Sequence, residues 1–218
     1  MRSRPLPLLL AVSLYAASSL AAAQSIFTTR LDDPQAIYLD APGFGAKGDG
    51  TADDSAALQA AIDKAESTAH QGVVFIPSGR YRIARTLYVW PGIRVIGYGA
   101  TRPVILLAHA TPGFQRGLGV MVMFTGAGPS DRTRAGRVPF PPPGTVPPNK
   151  DIADAGPSTF YSALSNIDFE IGDDNPAAIA IRFHVAQHAY LSHINFHIGS
   201  GLAALTLSSG AVCAQKID

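Results

Sequence analysis

The chain has 218 residues, a formal net charge of +1 and one cysteine, Cys213. A charge this close to zero, with no basic run, gives no electrostatic footprint for nucleic acid, and a single cysteine excludes an internal disulfide. The length suits one domain with its own hydrophobic core, so packing alone must hold the fold together.

The first 23 residues have the three-part order of a secretory signal peptide. Arg2 and Arg4 precede an apolar run over residues 8–20, and alanines then offer small residues for cleavage before Gln24. The apolar run is short for spanning a ~30 Å hydrocarbon core, and no later segment is apolar enough to cross a membrane. We therefore expect residues 1–23 to be removed on export. Residues 24–218 would then be a secreted or periplasmic domain without membrane contact.

Residues 43–63 read GFGAKGDGTADDSAALQAAID and contain the spacing G-x-G-x-x-G. A dinucleotide site needs a strand before this motif and a helix that begins at its third glycine, whereas here Asp49 and Gly50 intervene before any helical pattern. The residues match neither a phosphate-binding P-loop nor a calcium-binding hand. The pattern instead predicts a glycine turn and a helix that begins at a capping box over residues 51–54.

Short apolar segments separated by Gly and Pro follow the predicted helix. They cover residues 73–76, 81–83, 87–90, 93–96, 104–107 and 120–124. Many short strands with turn residues between them indicate an all-β architecture.

An internal repeat narrows this architecture. Residues 164–172 read LSNIDFEIG and residues 191–199, which begin 27 residues later, read LSHINFHIG, identical at six of nine positions. Repeats of roughly 20–50 residues are typical of solenoids, and several short strands per repeat without a helix favour a parallel β-helix. We expect the two segments to be neighbouring rungs, with Phe169 stacked on Phe196. The predicted helix would cap the exposed end of the first coil.

The stretch FGAKGDGTADDSAALQAAID, followed by GVVFIPSGRYRIARTLYVWPGIRVIGYG, resembles the N-terminal region of the pectate-lyase-like superfamily. More narrowly, it resembles the rhamnogalacturonase/epimerase-like pectate lyase domain; the match is specific over residues 43–99, and residues 160–204 look like later coils. The resemblance implies a single-stranded right-handed parallel β-helix of the pectin lyase type, with a short N-terminal capping α-helix, and a polysaccharide as partner. The N-T-D, D-D, G-H-G and R-I-K motif set of polygalacturonases is missing, as are the W-I-D-H and R-x-P-x-x-R motifs of pectate lyases. No catalytic residue can be carried over.

Two carboxylates are candidates for general acid/base chemistry. In IDFEI, residues 167–171, alternation points the apolar side chains inward and Asp168 and Glu170 outward. Residues two apart on a strand are separated by about 6.6 Å, within the ~6.5–9.5 Å between the carboxyls of an inverting glycosidase. In that case, removing either carboxylate would depress turnover and leave folding intact. The alternative is that both are solvated surface residues, which alternation alone also predicts.

Four further residues are predicted substrate contacts. Stacked repeats would bring Asn195 and His197 beside the two carboxylates, and Arg182 and His184 lie on the alternating strand between the repeats. The histidines of this region lack the spacing of metal ligands on a strand. We therefore predict no metal site and no cofactor.

Residues 125–158 form a long Pro/Gly-rich segment without periodicity. A loop of this length is usually functional or disordered, and the sequence is compatible with a wall beside a sugar groove or with disorder.

These observations predict an exported carbohydrate-active protein, the N-terminal part of a pectin- or glucan-type polysaccharide hydrolase. A polysaccharide lyase and a non-catalytic sugar-binding or capping module are the alternatives. We also expect the chain to be a truncated member that lacks the catalytic coils, because no polar or helical segment closes the solenoid after residue 204.

Overall fold

The computed structural model describes residues 23–40, 42–129 and 152–207, and the backbone of residues 215–217. One α-helix, α1 (Ser55–Ala69), lies near the start of this described part of the chain. The strands of the described part are β1 (Ile37–Tyr38), β2 (Asp49–Asp53), β3 (Gly72–Pro77), β4 (Arg80–Arg82), β5 (Leu87–Val89), β6 (Ile93–Tyr98), β7 (Val104–Leu107), β8 (Gly119–Phe124), β9 (Ala163–Ser165), β10 (Asp168–Ile171), β11 (Ala178–Arg182), β12 (Ala189–Ser192), β13 (Phe196–His197), β14 (Ala203–Thr206) and β15 (Gln215–Ile217).

The strands form three sheets that the chain visits in turn. Sheet 1 has the order β1-β3-β6-β9-β12-β15, sheet 2 the order β13-β10-β7-β4-β2, and sheet 3 the order β14-β11-β8-β5. The pairings between these strands are parallel. Successive strands contribute one rung to each sheet, which is the arrangement of a parallel β-helix. The predicted fold class is confirmed.

The two copies of the repeat are neighbouring rungs, as predicted. Leu164 lies opposite Leu191 in sheet 1, and Phe169 lies opposite Phe196 in sheet 2. The two phenylalanine rings stack with centroids 5.6 Å apart. Because side chains alternate along each strand, the register that stacks the aromatic rings also brings the other repeated apolar positions into line inside the coil.

Helix α1 covers the beginning of the coil. Its buried face packs against the first strands of sheets 1 and 3, and consists mainly of Ala57, Leu58, Ala61, Ile62 and Ala65. The Gln59 amide donates to the Tyr88 carbonyl at 3.1 Å, and its oxygen accepts from the Tyr88 N–H at 2.8 Å. An edge strand exposes backbone N–H and carbonyl groups. The Gln59 side chain of the helix therefore hydrogen-bonds to backbone groups at the edge strand β5.

The predicted capping box is wrong. Asp54 is the N-cap residue of α1, but its side chain makes no cap hydrogen bond. Its carboxylate instead accepts from the N–H groups of Lys47 at 2.7 Å and Gly48 at 3.0 Å. Gly48 has a φ of 60°, which glycine adopts without strain. The glycine motif therefore builds a turn that a buried aspartate holds against the start of the helix.

The segment that follows the predicted cleavage site lies on the outer face of sheet 1. Ser25 is buried, and Phe27 packs against the outward cluster of Tyr38, Phe75 and Tyr98. The Gly99 N–H donates to the Phe27 carbonyl at 2.8 Å. Sequence reasoning assigned no role to this segment. Within the described residues, no helix combines the length and apolarity that a membrane span requires.

Candidate functional site

The structure divides the predicted site residues between two sheets. Asp168 and Glu170 lie on β10 of sheet 2, with Asn195 and His197 on the next rung. Arg182 ends β11 of sheet 3, and His184 follows it. The structure therefore brings four of these residues together and separates the other two from them.

Asp168 points away from the coil interior, as predicted, but it is not a solvated surface group. Only 5% of the residue is exposed. One carboxylate oxygen accepts from the Arg102 guanidinium at 3.1 Å and from the backbone N–H of Asn195 at 2.8 Å. Because breaking a buried ion pair leaves an uncompensated charge, we expect removal of Asp168 to lower the stability of the fold, in contrast to the expectation from the sequence. Its predicted catalytic role stays a prediction.

Glu170 is more accessible and is also paired. Its carboxylate lies 2.8 Å from the Arg80 guanidinium, and the side chains are 28% and 47% exposed, respectively. His197 is the Cα partner of Glu170 on the neighbouring rung and is exposed. Asp168 and Glu170 thus each contact an arginine from an earlier part of the coil. The predicted acid/base role of Glu170 also stays a prediction.

A second polar cluster lies on the outer face of sheet 3, made of Asp154, Arg182 and His184. Arg182 Nε donates to Asp154 Oδ1 at 2.9 Å, and a second guanidinium nitrogen contacts the other carboxylate oxygen. His184 Nδ1 lies 3.7 Å from that second oxygen. All three side chains are partly exposed. The hydrogen bonds to Asp154 raise the pKa of Arg182 above its usual value, while burial opposes this shift.

Asp154 reaches this cluster because the long segment returns to the coil. Thr125 and Asp154 form an antiparallel bridge, and the Gly126 N–H donates to the Ala153 carbonyl at 2.9 Å. Ile152 and Ala155 are buried in the core. Both ends of the predicted 125–158 loop are therefore ordered, whereas residues 130–151 lie outside the described residues. Sequence reasoning missed Asp154, because this segment has no periodicity that could place a residue.

The cluster has the groups needed to hold a sugar and to move a proton. Arginine donates several hydrogen bonds in a fixed geometry, and histidine exchanges protons near neutral pH. A carboxylate that contacts both holds them in place. Within residues 23–40, 42–129 and 152–207, no group of three or more His, Cys, Asp or Glu side chains is arranged to hold a metal ion.

A protein-family model and several known proteins match parts of this chain. The family model described as rhamnogalacturonase A/epimerase, pectate lyase-like matches residues 40–215. A glucan 1,3-beta-glucosidase of Cochliobolus carbonum is 43% identical over 60 residues, which are 28% of this chain and 7% of that protein. The mannuronan C5-epimerase AlgE3 of Azotobacter vinelandii is 38% identical over 92 residues, 37% of this chain and 5% of the epimerase.

Among solved structures, the A-module of the Azotobacter vinelandii mannuronan C-5 epimerase AlgE4 is similar with a TM-score of 0.47 and 19% identity, over 78% of this chain and 41% of the module. The matched regions thus span less than a tenth of the two curated relatives. The family model, in contrast, covers well over half of the chain, and the three stacked parallel sheets are what the resemblance implied. The chain therefore belongs to the rhamnogalacturonase A/epimerase, pectate lyase-like family, a carbohydrate-active β-helix family.

Proposed function

We propose that the protein is exported and hydrolyses glycosidic bonds of a polysaccharide that lies across the outer face of sheet 3. Family membership supports a carbohydrate as the ligand class. The observation that carries the proposed location is the partly exposed cluster of Asp154, Arg182 and His184. The Asp154 carboxylate lies within 4 Å of both the Arg182 guanidinium and the His184 imidazole, and all three side chains are partly exposed.

In this proposal each member of the cluster has one role. Hydrolysis adds water across the glycosidic bond, so the departing sugar oxygen gains one proton and the other sugar gains a hydroxyl. His184 exchanges that proton, Arg182 donates hydrogen bonds to sugar oxygens, and Asp154 positions both side chains. In this proposal Asp168 has a structural role, and Glu170 is the alternative catalytic carboxylate, on sheet 2.

A non-catalytic sugar-binding module is the second candidate. It is favoured by one observation: the carboxylates of Asp154, Asp168 and Glu170 are all engaged with arginines. A carboxylate in an ion pair is a poor proton donor. A lyase is the nearest catalytic alternative, since it breaks the same bond by elimination and leaves a carbon–carbon double bond in its product.

Activity on a panel of neutral and acidic polysaccharides tests the proposal in the full-length protein. We expect new reducing ends without the ultraviolet absorbance of an unsaturated sugar. Replacing His184 with alanine should lower turnover by about 10²-fold or more, because general acid–base catalysis contributes about 10²–10⁴-fold. The measurement is the rate of reducing-end release.

The matched control for this experiment is Glu170→Gln. Turnover that is lost in Glu170→Gln and kept in His184→Ala would move the catalytic centre to sheet 2. Products that absorb in the ultraviolet would indicate a lyase. Binding without release of any reducing end would leave the non-catalytic module as the function.

Export has its own test. When the chain is expressed with residues 1–23 in a secreting bacterial host, we expect the mature protein outside the cytoplasm with Gln24 as its first residue. One contact supports this expectation, since Gln24, the first residue after the predicted cleavage, forms an antiparallel bridge with Thr101. N-terminal sequencing of the recovered protein measures the outcome, and an intact Met1 on cytoplasmic protein would contradict it.

A further inference from the structure

A pocket of about 250 Å³ opens on the outer face of sheet 1, beside the end of helix α1. It is lined by Asp33, Gln35, Ala69, Gln71, Gly72, Val73, Gly92 and Arg94. It lies on a different sheet from Arg182 and His184, so the proposed hydrolytic site does not use it. Its volume is somewhat below the ~300–1,000 Å³ of sites for drug-sized ligands, and it therefore suits a small unit.

The lining combines one cation, one carboxylate and two side-chain amides. Arg94 and Asp33 carry opposite charges, and Gln35 and Gln71 offer both donors and acceptors. Guanidinium, carboxylate and amide groups can each form hydrogen bonds to two adjacent hydroxyls of a ligand, because a hydroxyl both donates and accepts. Because the two charges balance, the pocket fits a neutral ligand with several hydroxyls better than a strongly charged one.

An exposed aromatic pair lies next to this pocket. The rings of Tyr161 and His188 stack with centroids 5.2 Å apart and an interplanar angle of 11°. Tyr161 remains 44% exposed, so ring surface is left for a ligand. Both residues have a φ near 60°, a left-handed conformation that histidine adopts more readily than the bulkier tyrosine. Backbone strain such as that at Tyr161 concentrates at functional sites.

Arg94 connects the pocket with the aromatic pair. It lines the pocket, and its Nε donates to the Tyr161 carbonyl at 3.3 Å. Along sheet 1, Arg94 lies opposite Ala163, and Ala163 lies opposite Tyr190. Ala163 itself is fully buried, so neighbouring side chains cover this row of the sheet. The polar pocket and the aromatic surface are therefore parts of one continuous face.

We propose that this face is a polysaccharide-binding subsite, with a neutral pyranose unit in the pocket and a neighbouring unit stacked on Tyr161. A pyranose presents C–H groups on its faces and hydroxyls on its rim, which match an aromatic ring and planar polar groups, respectively. This subsite rests on the proposed function in one respect: the polysaccharide bound here is taken to be the one that is hydrolysed on sheet 3. It would hold the polymer on the protein while the cluster on sheet 3 acts.

Binding of a hexamer of 1,3-linked glucose, measured by calorimetry, tests the subsite without reference to turnover. Tyr161→Asn removes the ring, and asparagine tolerates the left-handed backbone, so the thermal midpoint should stay level or rise. We expect the Kd to increase at least about tenfold. Tyr161→Phe keeps the ring, and its Kd should stay within about threefold of the wild type.

The other variants and probes separate this subsite from the proposed hydrolytic function. Wild-type affinity in Tyr161→Asn, or no binding by the wild type, overturns the subsite. A hexamer of mannuronate that binds this face more tightly than the neutral hexamer also overturns it as proposed. The subsite stands if Tyr161→Asn binds the neutral hexamer about tenfold more weakly and His184→Ala still binds it. If the wild type also releases no reducing ends, the subsite stands and the proposed hydrolase activity fails.

Discussion

Replacing Asp168 with alanine is expected to destabilise the fold by about 3–5 kcal/mol, the usual cost of breaking a buried ion pair. The change leaves the guanidinium of Arg102, whose side chain is only 14% exposed, without its carboxylate. It also removes the acceptor of the Asn195 N–H, a bond that ties one rung of sheet 2 to the next. The measurement is the free energy of unfolding in urea.

Glu170→Gln is the matched control, because it breaks an arginine pair on the same strand at an exposed position. Surface pairs of this kind contribute about 0–1 kcal/mol, so Glu170→Gln should unfold close to the wild type. The double variant Arg102→Leu with Asp168→Leu should be more stable than Asp168→Ala, because it removes both charges together. If Asp168→Ala unfolds like Glu170→Gln, the buried pair with Arg102 contributes no more to stability than a surface pair, and the prediction fails.

The distinction matters for function. A variant of Asp168 that loses activity because it is less folded gives no evidence for a catalytic carboxylate. Only turnover that is normalised to folded protein can decide the predicted acid/base role of Asp168. Glu170 does not have this complication, since its exposed pair with Arg80 is expected to contribute little to stability.

Asn166→Ala is expected to destabilise the fold by roughly 2–5 kcal/mol. Asn166 is fully buried in the turn between β9 and β10 and has a φ of 59°, which costs alanine about 1–2 kcal/mol. Its amide donates to the Gly97 carbonyl and to Ser25 Oγ, both at 2.7 Å, and its oxygen accepts from the Ile26 N–H at 3.0 Å. Unsatisfied buried groups cost about 1–3 kcal/mol more.

Two further variants separate these contributions. Asn166→Gly keeps the left-handed backbone and loses only the side-chain bonds, so it should be less destabilising than Asn166→Ala. His193→Ala makes the same backbone change one rung later, at an exposed residue with a φ of 54°, and should cost only about 1–2 kcal/mol. Equal costs for Asn166→Ala and His193→Ala in urea unfolding would show that the Asn166 bonds contribute nothing.

The sequence determined the architecture of this protein because its signals are local and periodic. Alternation within each strand decides which side chains enter the coil, and the 27-residue repeat sets the register that stacks Phe169 on Phe196. The apolar stripe after the glycine motif likewise predicted helix α1. These features depend on residues a few positions apart or on identical segments, and both can be recognised in a single sequence.

Only the tertiary structure decided what covers each outward face. Alternation showed that Asp168 points outward, yet the side chain that buries it, Arg102, lies 66 residues earlier in the chain. Glu170 pairs with Arg80, which lies 90 residues earlier in the sequence. Arg182 pairs with Asp154, which lies 28 residues earlier, in the segment without periodicity. The Asp54 carboxylate likewise accepts from the N–H groups of Lys47 and Gly48 in the glycine loop, seven and six residues earlier, and not from its own helix. A repeat pattern specifies the interior of a coil, whereas partners on its outer surface depend on long-range geometry that no local signal encodes.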